Sequence, residues 1–495
     1  MTVDLVIKDG KVVTPRGLFP GGVAVDDGVI VAVGGNEHLP PANVTLNAQD
    51  KLILPGVIDP HTHPGKREFA TDIRTETSSA TIGGVTTMGA IIKSTRMGEW
   101  VDVPQGIPSY KQSFPSAKEA VDANSTIDVY FNFAIVTDEQ ANEIPYYAKE
   151  FGVTSFKFYV GYMGGDKSTR RAGLGDWCSR LGFPDGFDDG TVYLGFENIA
   201  KVGPPCIAHI HAENMGMSRI FFDRIFRAGR NDLAGWADRS PGICEAAHIR
   251  TYAYFAKITG TPIYVVHLNS LEGLDEIRRA RAEGIQIFAE TCPQYIWIAT
   301  DDDPPGVWGK SSPPLRDKNT ADGLVKALAD GDIFCMGTDH CPNLQENHMG
   351  GELIPPDSVG IFRSASQSGI QTLLPSMLNY GVNTGVLSIE RLVEICCKNP
   401  AYAAGLYPQK GALKVGSDGD ILVVDTKLTK KVTAETIHAP YLAFFRERNL
   451  TGWPTVVTVR GEVVMQDNEI VGKPGHGKYL GRLLGDQQVA NLDPS

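Results

Sequence analysis

Between about residues 54 and 410, short apolar runs alternate with segments of helical spacing. The apolar runs fall at 53–60, 84–92, 127–136, 153–160, 205–212, 262–269, 285–291 and 332–338. Segments between them, such as 271–284 and 319–332, repeat apolar residues every three or four positions, which predicts amphipathic helices. Eight strands alternating with helices predict an α/β fold, a (β/α)8 TIM barrel, whose functional residues lie at the carboxyl ends of the strands.

The two ends of the chain have a different pattern from the middle. Residues 3–35, 411–426 and 455–471 alternate apolar and polar residues, with Asp-Gly turns in the first two segments, which indicates β-hairpins. We therefore predict one small β-sandwich domain formed by both termini. The predicted division is 1–53 plus 412–495 for the β-sandwich and a C-terminal tail, and 54–411 for the barrel.

Composition excludes several classes of protein. The chain has 46 Lys and Arg against 58 Asp and Glu, a net charge of −12, which argues against a nucleic-acid surface. No apolar run approaches the ~20 residues that a membrane span requires. The N-terminus lacks the basic start and apolar stretch of a signal peptide. The eight cysteines include no CxxC pair and are typical of reduced thiols, so we expect a cytoplasmic protein.

Several predicted strands end in side chains that can bind metals. The first strand runs into 56-GVIDPHTHPGK-66. His61 and His63 are two positions apart, and residues i and i+2 on a strand share a face. The residues of this type are His61, His63, Lys157, His211, His267 and Asp339. Each alone has an ordinary explanation, such as a helix cap or a lysine paired with a carboxylate. One metal centre at the barrel mouth explains all six together.

This set of residues suits two metal ions better than one. Imidazole and carboxylate ligands favour Zn²⁺ and similar divalent ions, and a catalytic site keeps one position open for water. A lysine ammonium cannot bind a cation, but Lys157 carboxylated by CO₂ becomes an anion that can bridge two ions. Two ions that share a bound water would lower its pKa and hold a hydroxide ready for attack.

The motifs PGVIDPHTH, FKFYVGY, HIHAEN, YVVHLNS, ETCPQY and GTDHCPN resemble the amidohydrolase superfamily, most closely its cyclic-amidase branch. That branch comprises hydantoinases, dihydropyrimidinases and allantoinases, and the resemblance covers nearly the whole chain. It implies a binuclear enzyme that opens the C–N bond of a cyclic ureide, amide or imide by attack of a metal-bridging hydroxide.

The resemblance also assigns roles to individual residues. It implies that His61, His63 and Asp339 hold one ion, that His211 and His267 hold the other, and that N6-carboxylated Lys157 bridges them. The ions would be zinc, with manganese as an alternative. Asp339 would also be the general base, and Tyr162, five residues after the lysine, would stabilise the developing oxyanion. His209 is an additional histidine, for which we expect a buried supporting role.

The substrate is less well determined by the sequence. Hydantoinases and dihydropyrimidinases carry an IPNG-type stretch after the eighth strand, but here Ala365 or a neighbouring serine takes the asparagine position, which favours an allantoinase. Tyr162 favours a hydantoinase. The candidate substrate contacts are Tyr162, Asn269, Thr291, Asn343 and Ser366. A long segment, 164–190, contains Arg170 and Arg171; if it covers the pocket, a substrate bearing a carboxylate is a secondary hypothesis.

Three alternatives stay open at this stage. An allantoinase, or a specialised catabolic hydrolase of another cyclic amide, would use the same site. Deaminases generally use one metal and lack the bridging lysine, so Lys157 argues against them. A non-catalytic dihydropyrimidinase-like scaffold would have lost the ligands that this chain keeps. We expect a homotetramer or homodimer, in which Leu480, Leu483 and Leu484 of the tail contact a neighbour.

Overall fold

The computed structural model describes residues 2–14, 17–65, 68–93, 109–163, 188–301, 309–342, 369–438 and 444–485. Seventeen strands form two sheets: β1 Val3–Thr14, β2 Gly17–Asp26, β3 Val29–Gly34, β4 Ala42–Asn47, β5 Leu52–Pro55, β6 Val57–Thr62, β7 Val85–Ile92, β8 Asp128–Ala134, β9 Ser155–Phe158, β10 Ile207–Ile210, β11 Ile263–Val265, β12 Ile287–Thr291, β13 Cys335–Met336, β14 Ile421–Lys431, β15 Asn449–Val459, β16 Glu462–Gln466 and β17 Glu469–Ile470.

The described helices lie mainly between or after the strands β6 to β13, which form one of the two sheets. They are α1 Phe69–Ile82, α2 Tyr110–Asn124, α3 Asp138–Asn142, α4 Ile144–Phe151, α5 Asp189–Val202, α6 Met215–Arg227, α7 Leu233–Asp238, α8 Gly242–Thr259, α9 Leu271–Ala282, α10 Pro293–Trp297, α11 Lys318–Asp330, α12 Leu373–Ser376, α13 Ile389–Val393 and α14 Asn399–Ala403. Short 3-10 turns occupy Asn36–His38, Val160–Tyr162 and Ile370–Thr372, and π-helical turns occupy Met377–Val382 and Glu394–Lys398. None of these described helices has the length and apolarity needed to cross a membrane.

Strands β6 to β13 form the predicted barrel. They follow one another in chain order and pair in parallel. The sheet closes where Thr62 pairs with His340 and the His63 N–H donates to the His340 carbonyl at 2.7 Å. Helices pack on the outer face, where Tyr110 of α2 stacks on Phe133 of β8 with 3.8 Å between ring centroids. The (β/α)8 prediction is therefore confirmed.

The first predicted strand, 53–60, is two strands. β5 pairs with β14 and β1 in the other sheet, whereas β6 begins the barrel. Gly56 separates them, and a Cβ at this position would lie 2.0 Å from the Thr86 hydroxyl oxygen. The chain can therefore pass from one sheet to the other within a single apolar run only because residue 56 has no side chain.

The second sheet is built from both ends of the chain. Its order is β17-β16-β15-β14-β5-β1-β2-β3, with β4 also paired to β1. β5 is the element that joins the two ends, because it is parallel to β1 and antiparallel to β14. This confirms a separate sheet domain beside the barrel, while the residue boundaries given above stay a prediction.

The C-terminal tail packs against the amino-terminal end of its own barrel. The Leu480 N–H donates to the Val129 carbonyl at 2.8 Å, and Leu480 packs with Ile58 and Tyr130. The Arg482 guanidinium is buried and donates to Ser155 Oγ at 2.7 Å. Leu483 remains 71% exposed. Of the three tail leucines, Leu480 is thus engaged within its own chain.

A buried lysine connects the barrel to the terminal sheet. Lys410 Nζ lies 2.6 Å from Asp128 of β8, 2.8 Å from Asp420 and 2.9 Å from Asp418. Burial alone would lower the pKa of Lys410, but the three carboxylates outweigh it and raise that pKa. The three aspartates could in principle hold a cation, and here the ammonium already lies among them.

Replacing Lys410 by methionine is expected to lower the free energy of unfolding by about 3–5 kcal/mol, because it removes the ammonium that three clustered carboxylates share, and within the described part of the chain only Asp128 keeps an ion pair, with Arg460. Urea denaturation followed by circular dichroism measures the change. Lys326→Met is the control, because the Lys326 side chain is exposed and its pair with Asp330 should contribute less than about 1 kcal/mol. Equal losses for the two variants would contradict a structural role for the Lys410 cluster.

Candidate metal centre

Three predicted ligands converge on one point at the barrel mouth. His61 Nε2 lies 3.2 Å from His63 Nε2 and 3.2 Å from Asp339 Oδ1, and His63 Nε2 lies 2.8 Å from the same oxygen. Ligand atoms about 2.0–2.1 Å from a tetrahedral zinc ion lie about 3.3 Å apart, so these spacings match a metal site. All three side chains are buried.

The other two histidines form a second pair of ligand atoms. His211 Nδ1 lies 2.7 Å from His267 Nε2, at the carboxyl ends of β10 and β11. The His61 and His267 rings stack with their centroids 5.5 Å apart, so the two groups are adjacent. Lys157 in β9 places its Nζ 3.4 Å from His61 Nε2. The structure therefore brings together all six residues that the sequence analysis selected.

The backbone is strained at two of these positions. His267 has a φ of +44° and Asp339 a φ of +53°, both in the left-handed region that non-glycine residues rarely adopt. Both residues lie within three positions of the carboxyl end of a short barrel strand, β11 or β13. Such strain persists where the surrounding structure holds it, and it is concentrated at functional sites.

The protonation states suit metal binding. Burial lowers the pKa of His61, His211 and His267, with Lys157 contributing in each case, so these imidazoles are neutral and can act as ligands. Burial also lowers the pKa of the Lys157 ammonium to about 8, which increases the fraction present as the free amine that CO₂ can carboxylate. The donor set therefore fits two divalent ions.

Two carboxylates that the sequence analysis did not select lie against the histidines. Glu290 Oε1 is 2.8 Å from His61 Nδ1 and accepts the His267 N–H at 3.1 Å. Glu213 Oε2 is 3.4 Å from His211 Nε2. Each carboxylate lies on the ring nitrogen opposite the ligand nitrogen, which fixes ring orientation and tautomer. The only sequence signal for them is their place in the ETCPQY and HIHAEN motifs.

His340 connects three segments around Asp339. Its Nδ1 accepts the Gly369 N–H at 3.2 Å, so its proton is on Nε2, which donates to Glu76 Oε2 at 2.5 Å. Its own carbonyl accepts the His63 N–H. Glu76 and His340 are buried, and together they tie helix α1 to the loop that carries Asp339. No local sequence pattern predicts this pairing, because the two residues are 264 positions apart.

Tyr162 lies beside the second histidine pair. Its ring stacks on His211 at 4.9 Å between centroids, its side chain is only 5% exposed, and it hydrogen bonds with Ser312. Burial, with the nearby Glu213 charge, raises the pKa of the Tyr162 phenol well above its usual range. The hydroxyl therefore stays protonated and able to donate a hydrogen bond.

The remaining predicted contacts fall into two groups. Asn269 and Thr291 are buried near the site, and both make hydrogen bonds within the protein: Asn269 Oδ1 accepts from Arg316 at 3.0 Å, and the Thr291 hydroxyl donates to the Leu268 carbonyl at 2.7 Å. Asn343 and Ser366 lie outside the described residues, as do Ala365, Arg170 and Arg171.

His209 is buried one layer below the metal ligands. Its ring stacks on Tyr264 with centroids 4.5 Å apart, and its Nδ1 has no hydrogen-bond partner among the described residues. Tyr264 in turn donates its hydroxyl to Glu290 Oε2 at 2.8 Å. His209 thus supports, through packing, a tyrosine that holds Glu290 in place.

The barrel, the terminal sheet and the convergent histidines define an amidohydrolase-type fold and site. A sequence profile of the amidohydrolase family matches residues 312–464. The chain is 30% identical to a D-hydantoinase of Streptomyces coelicolor, over 97% of this chain and 98% of that one. It is 28% identical to an L-hydantoinase of Paenarthrobacter aurescens, over 97% and 98% of the two chains.

Solved structures give the same result. The L-hydantoinase (dihydropyrimidinase) from Arthrobacter aurescens superposes with a TM-score of 0.84 at 28% identity, covering 97% of this chain and 99% of that one. The dihydropyrimidinase from Brevibacillus agri superposes with a TM-score of 0.81 at 25% identity, covering 97% and 98%. The chain belongs to the amidohydrolase family, in the branch of the hydantoinases and dihydropyrimidinases.

Proposed function

We propose that this protein is a hydrolase that opens the amide C–N bond of a hydantoin-like or dihydropyrimidine-like ring. The observation that carries the proposal is the convergence of His61, His63 and Asp339 with Lys157 at one barrel mouth. Its similarity to hydantoinases over nearly its whole length supports the same reaction class. The retained ligands argue against a scaffold without activity.

The geometry supports the proposed metal ligands. His61, His63 and Asp339 would hold one ion, His211 and His267 the other, and carboxylated Lys157 would bridge them. Two divalent ions held there, zinc first and manganese as the alternative, would polarise the amide carbonyl and lower the pKa of water. Glu290 and Glu213 keep the His61 and His211 rings aimed at the ions.

The protein's own residues would move the protons. Water adds its oxygen to the carbonyl carbon, the ring C–N bond breaks, and one proton must reach the leaving nitrogen. Asp339 accepts that proton and delivers it, because its Oδ1 lies 2.8 Å from His63 Nε2 and 3.2 Å from His61 Nε2, beside the position of the attacking water. The Tyr162 hydroxyl donates a hydrogen bond to the carbonyl oxygen as it gains charge.

Tyr162→Phe tests the oxyanion role. We expect kcat to fall about 10²–10³-fold with little change in KM, because the lost hydrogen bond forms fully only in the transition state. Steady-state kinetics on the best ring substrate measures the effect. Tyr146→Phe is the control, since Tyr146 is on helix α4 and its side chain is partly exposed. An unchanged kcat in Tyr162→Phe would remove this residue from the mechanism.

The activity itself is tested by reconstitution. The protein is loaded with zinc or manganese in the presence of bicarbonate, its metal content is measured, and ring opening of hydantoin, dihydrouracil, allantoin and several imides is followed by chromatography. Turnover of hydantoin or dihydrouracil supports the proposal. Preferred turnover of allantoin would assign the allantoinase alternative that the sequence near Ser366 favours. Two bound metals without turnover of any ring would overturn the proposal.

Assembly and location remain proposals. We propose a homotetramer or homodimer in the cytoplasm. Helix α8 supports an oligomer, because Ile243, Tyr254 and Ile258 expose apolar surface along one face. Light scattering after size-exclusion chromatography determines the oligomeric state.

A further inference from the structure

A second lysine lies at the same barrel mouth. Lys93 directly follows β7, and alternation along a strand places Gly89 and Lys93 on one face. That face is the inside of the barrel, because a Cβ on Gly89 would meet the Pro60 carbonyl oxygen at 2.5 Å and the Tyr130 ring at 2.7 Å. The Lys93 side chain therefore starts from the inner wall, at the end where the ligands are.

Contacts confirm where its ammonium lies. Lys93 Nζ is 5.2 Å from the centroid of the Tyr159 ring, and Lys157 Nζ is 5.3 Å from the same centroid. The two nitrogens can therefore be no farther apart than the sum of these distances. Lys93 is only 7% exposed. A second positive group is thus buried in the mouth, within electrostatic range of the metal ligands.

We propose that Lys93 forms an anion subsite in the substrate pocket, and that the ring opened by this enzyme carries a carboxylate. This inference rests on the proposed function. An ammonium in a buried, low-dielectric mouth attracts a nearby anion strongly, so a carboxylate on the bound ring gains binding free energy there. Lysine suits this role because its ammonium is a compact point charge on a flexible stem.

The residues that form the proposed subsite, Lys93 and Tyr159, lie within the described part of the chain, as do the predicted metal ligands. The positive charge of Lys93 can act in two ways, which differ in their effect on acidic and neutral rings. As a substrate contact, Lys93 discriminates between acidic and neutral rings. As a counter-charge for Asp339 and carboxylated Lys157, it would affect both kinds of ring equally.

The experiment compares Lys93→Met and Lys93→Arg with the unmodified enzyme. The substrates are hydantoins with a carboxymethyl or carboxyethyl group at C5, each matched with its primary amide, which has the same shape and no charge. We expect Lys93→Met to raise KM about tenfold or more for the acids and less than about threefold for the amides. Lys93→Arg should retain most of the preference for acids. Added salt should raise KM for the acids in the unmodified enzyme and in Lys93→Arg, but not in Lys93→Met.

A binding measurement gives a second readout that needs no turnover. Isothermal titration calorimetry with N-carbamoyl aspartate and N-carbamoyl asparagine, ring-opened compounds that differ by one carboxylate, should show a preference for the first that Lys93→Met removes. Lys111→Met is the matched control, because Lys111 Nζ also lies over a tyrosine ring, that of Tyr146 at 4.4 Å, outside the mouth. Thermal melting verifies that each variant is folded.

The outcomes separate this inference from the proposed function. Equal losses on acids and amides, or no loss on either, would overturn the anion subsite while leaving ring hydrolysis intact. Absence of turnover on every ring would overturn the proposed function, and the calorimetric preference would then decide on Lys93 alone. A preference for neutral rings in the unmodified enzyme would also reject the subsite.

Discussion

Replacing Lys157 by alanine is expected to reduce kcat/KM for ring opening by about 10³-fold or more, because the proposed two-metal centre would supply several kcal/mol of transition-state stabilisation. Lys157 is buried in β9, 3.4 Å from His61 Nε2, and in the proposed site its carboxylated form is the bridging ligand. Metal analysis of the variant should show fewer than two ions per chain. Steady-state kinetics and metal content therefore test the same residue independently.

Chemical rescue makes this prediction specific. Acetate or propionate added to Lys157→Ala should restore part of the activity and of the second ion, because a small carboxylate can enter the space left by the side chain. Lys149→Ala is the control, since the Lys149 side chain is 78% exposed and precedes the same strand. Full activity of Lys157→Ala without added acid would show that the bridge is unnecessary.

Asp339→Asn is expected to lower kcat about 10²–10⁴-fold while leaving much of the metal binding, because the amide oxygen can still act as a ligand but cannot accept a proton. The carboxylate Oδ1 lies 2.8 Å from His63 Nε2 and 3.2 Å from His61 Nε2, at the point where attacking water would stand. Kinetics at saturating substrate, combined with metal analysis, separates loss of the base from loss of the ion.

The matched control for this variant is on the same segment. Asp332 precedes β13, pairs with Arg278 at 2.5 Å and lies at the opposite end of the strand from Asp339. Asp332→Asn should leave kcat within about twofold, as surface ion pairs contribute little. If Asp339→Asn retained nearly full kcat with both ions bound, another group would have to shuttle the proton.

Much of the fold was predictable because buried parallel strands have a simple sequence pattern. Such strands are apolar on both faces, so each appears as a continuous run, and the polar ligand residues stand within or just after the last part of these runs. The split of 53–60 into β5 and β6 was not predictable, because both strands are apolar and only the contact between Gly56 and Thr86 separates them. Apolarity alone carries no information about which sheet a strand joins.

The supporting carboxylates were hidden for a different reason. Glu290 reaches His61 across 229 positions of sequence, and Glu76 reaches His340 across 264. No periodicity or local spacing encodes such pairings, since they exist only once the barrel closes. The same holds for Lys93. In the sequence it is a single lysine after an apolar run, and only the barrel shows that its side chain starts from the inner face of β7.

The barrel closes at the place where His61, His63 and Asp339 meet. β6 and β13 meet through Thr62, His63 and His340, and the residues beside that seam carry the ligand atoms. An ion held by His61, His63 and Asp339 would therefore cross-link β6, the first strand of the barrel, to the segment that follows β13, the last strand. An ion that binds the closed barrel more tightly than the open one stabilises the closed barrel. Metal binding and barrel closure are therefore thermodynamically linked.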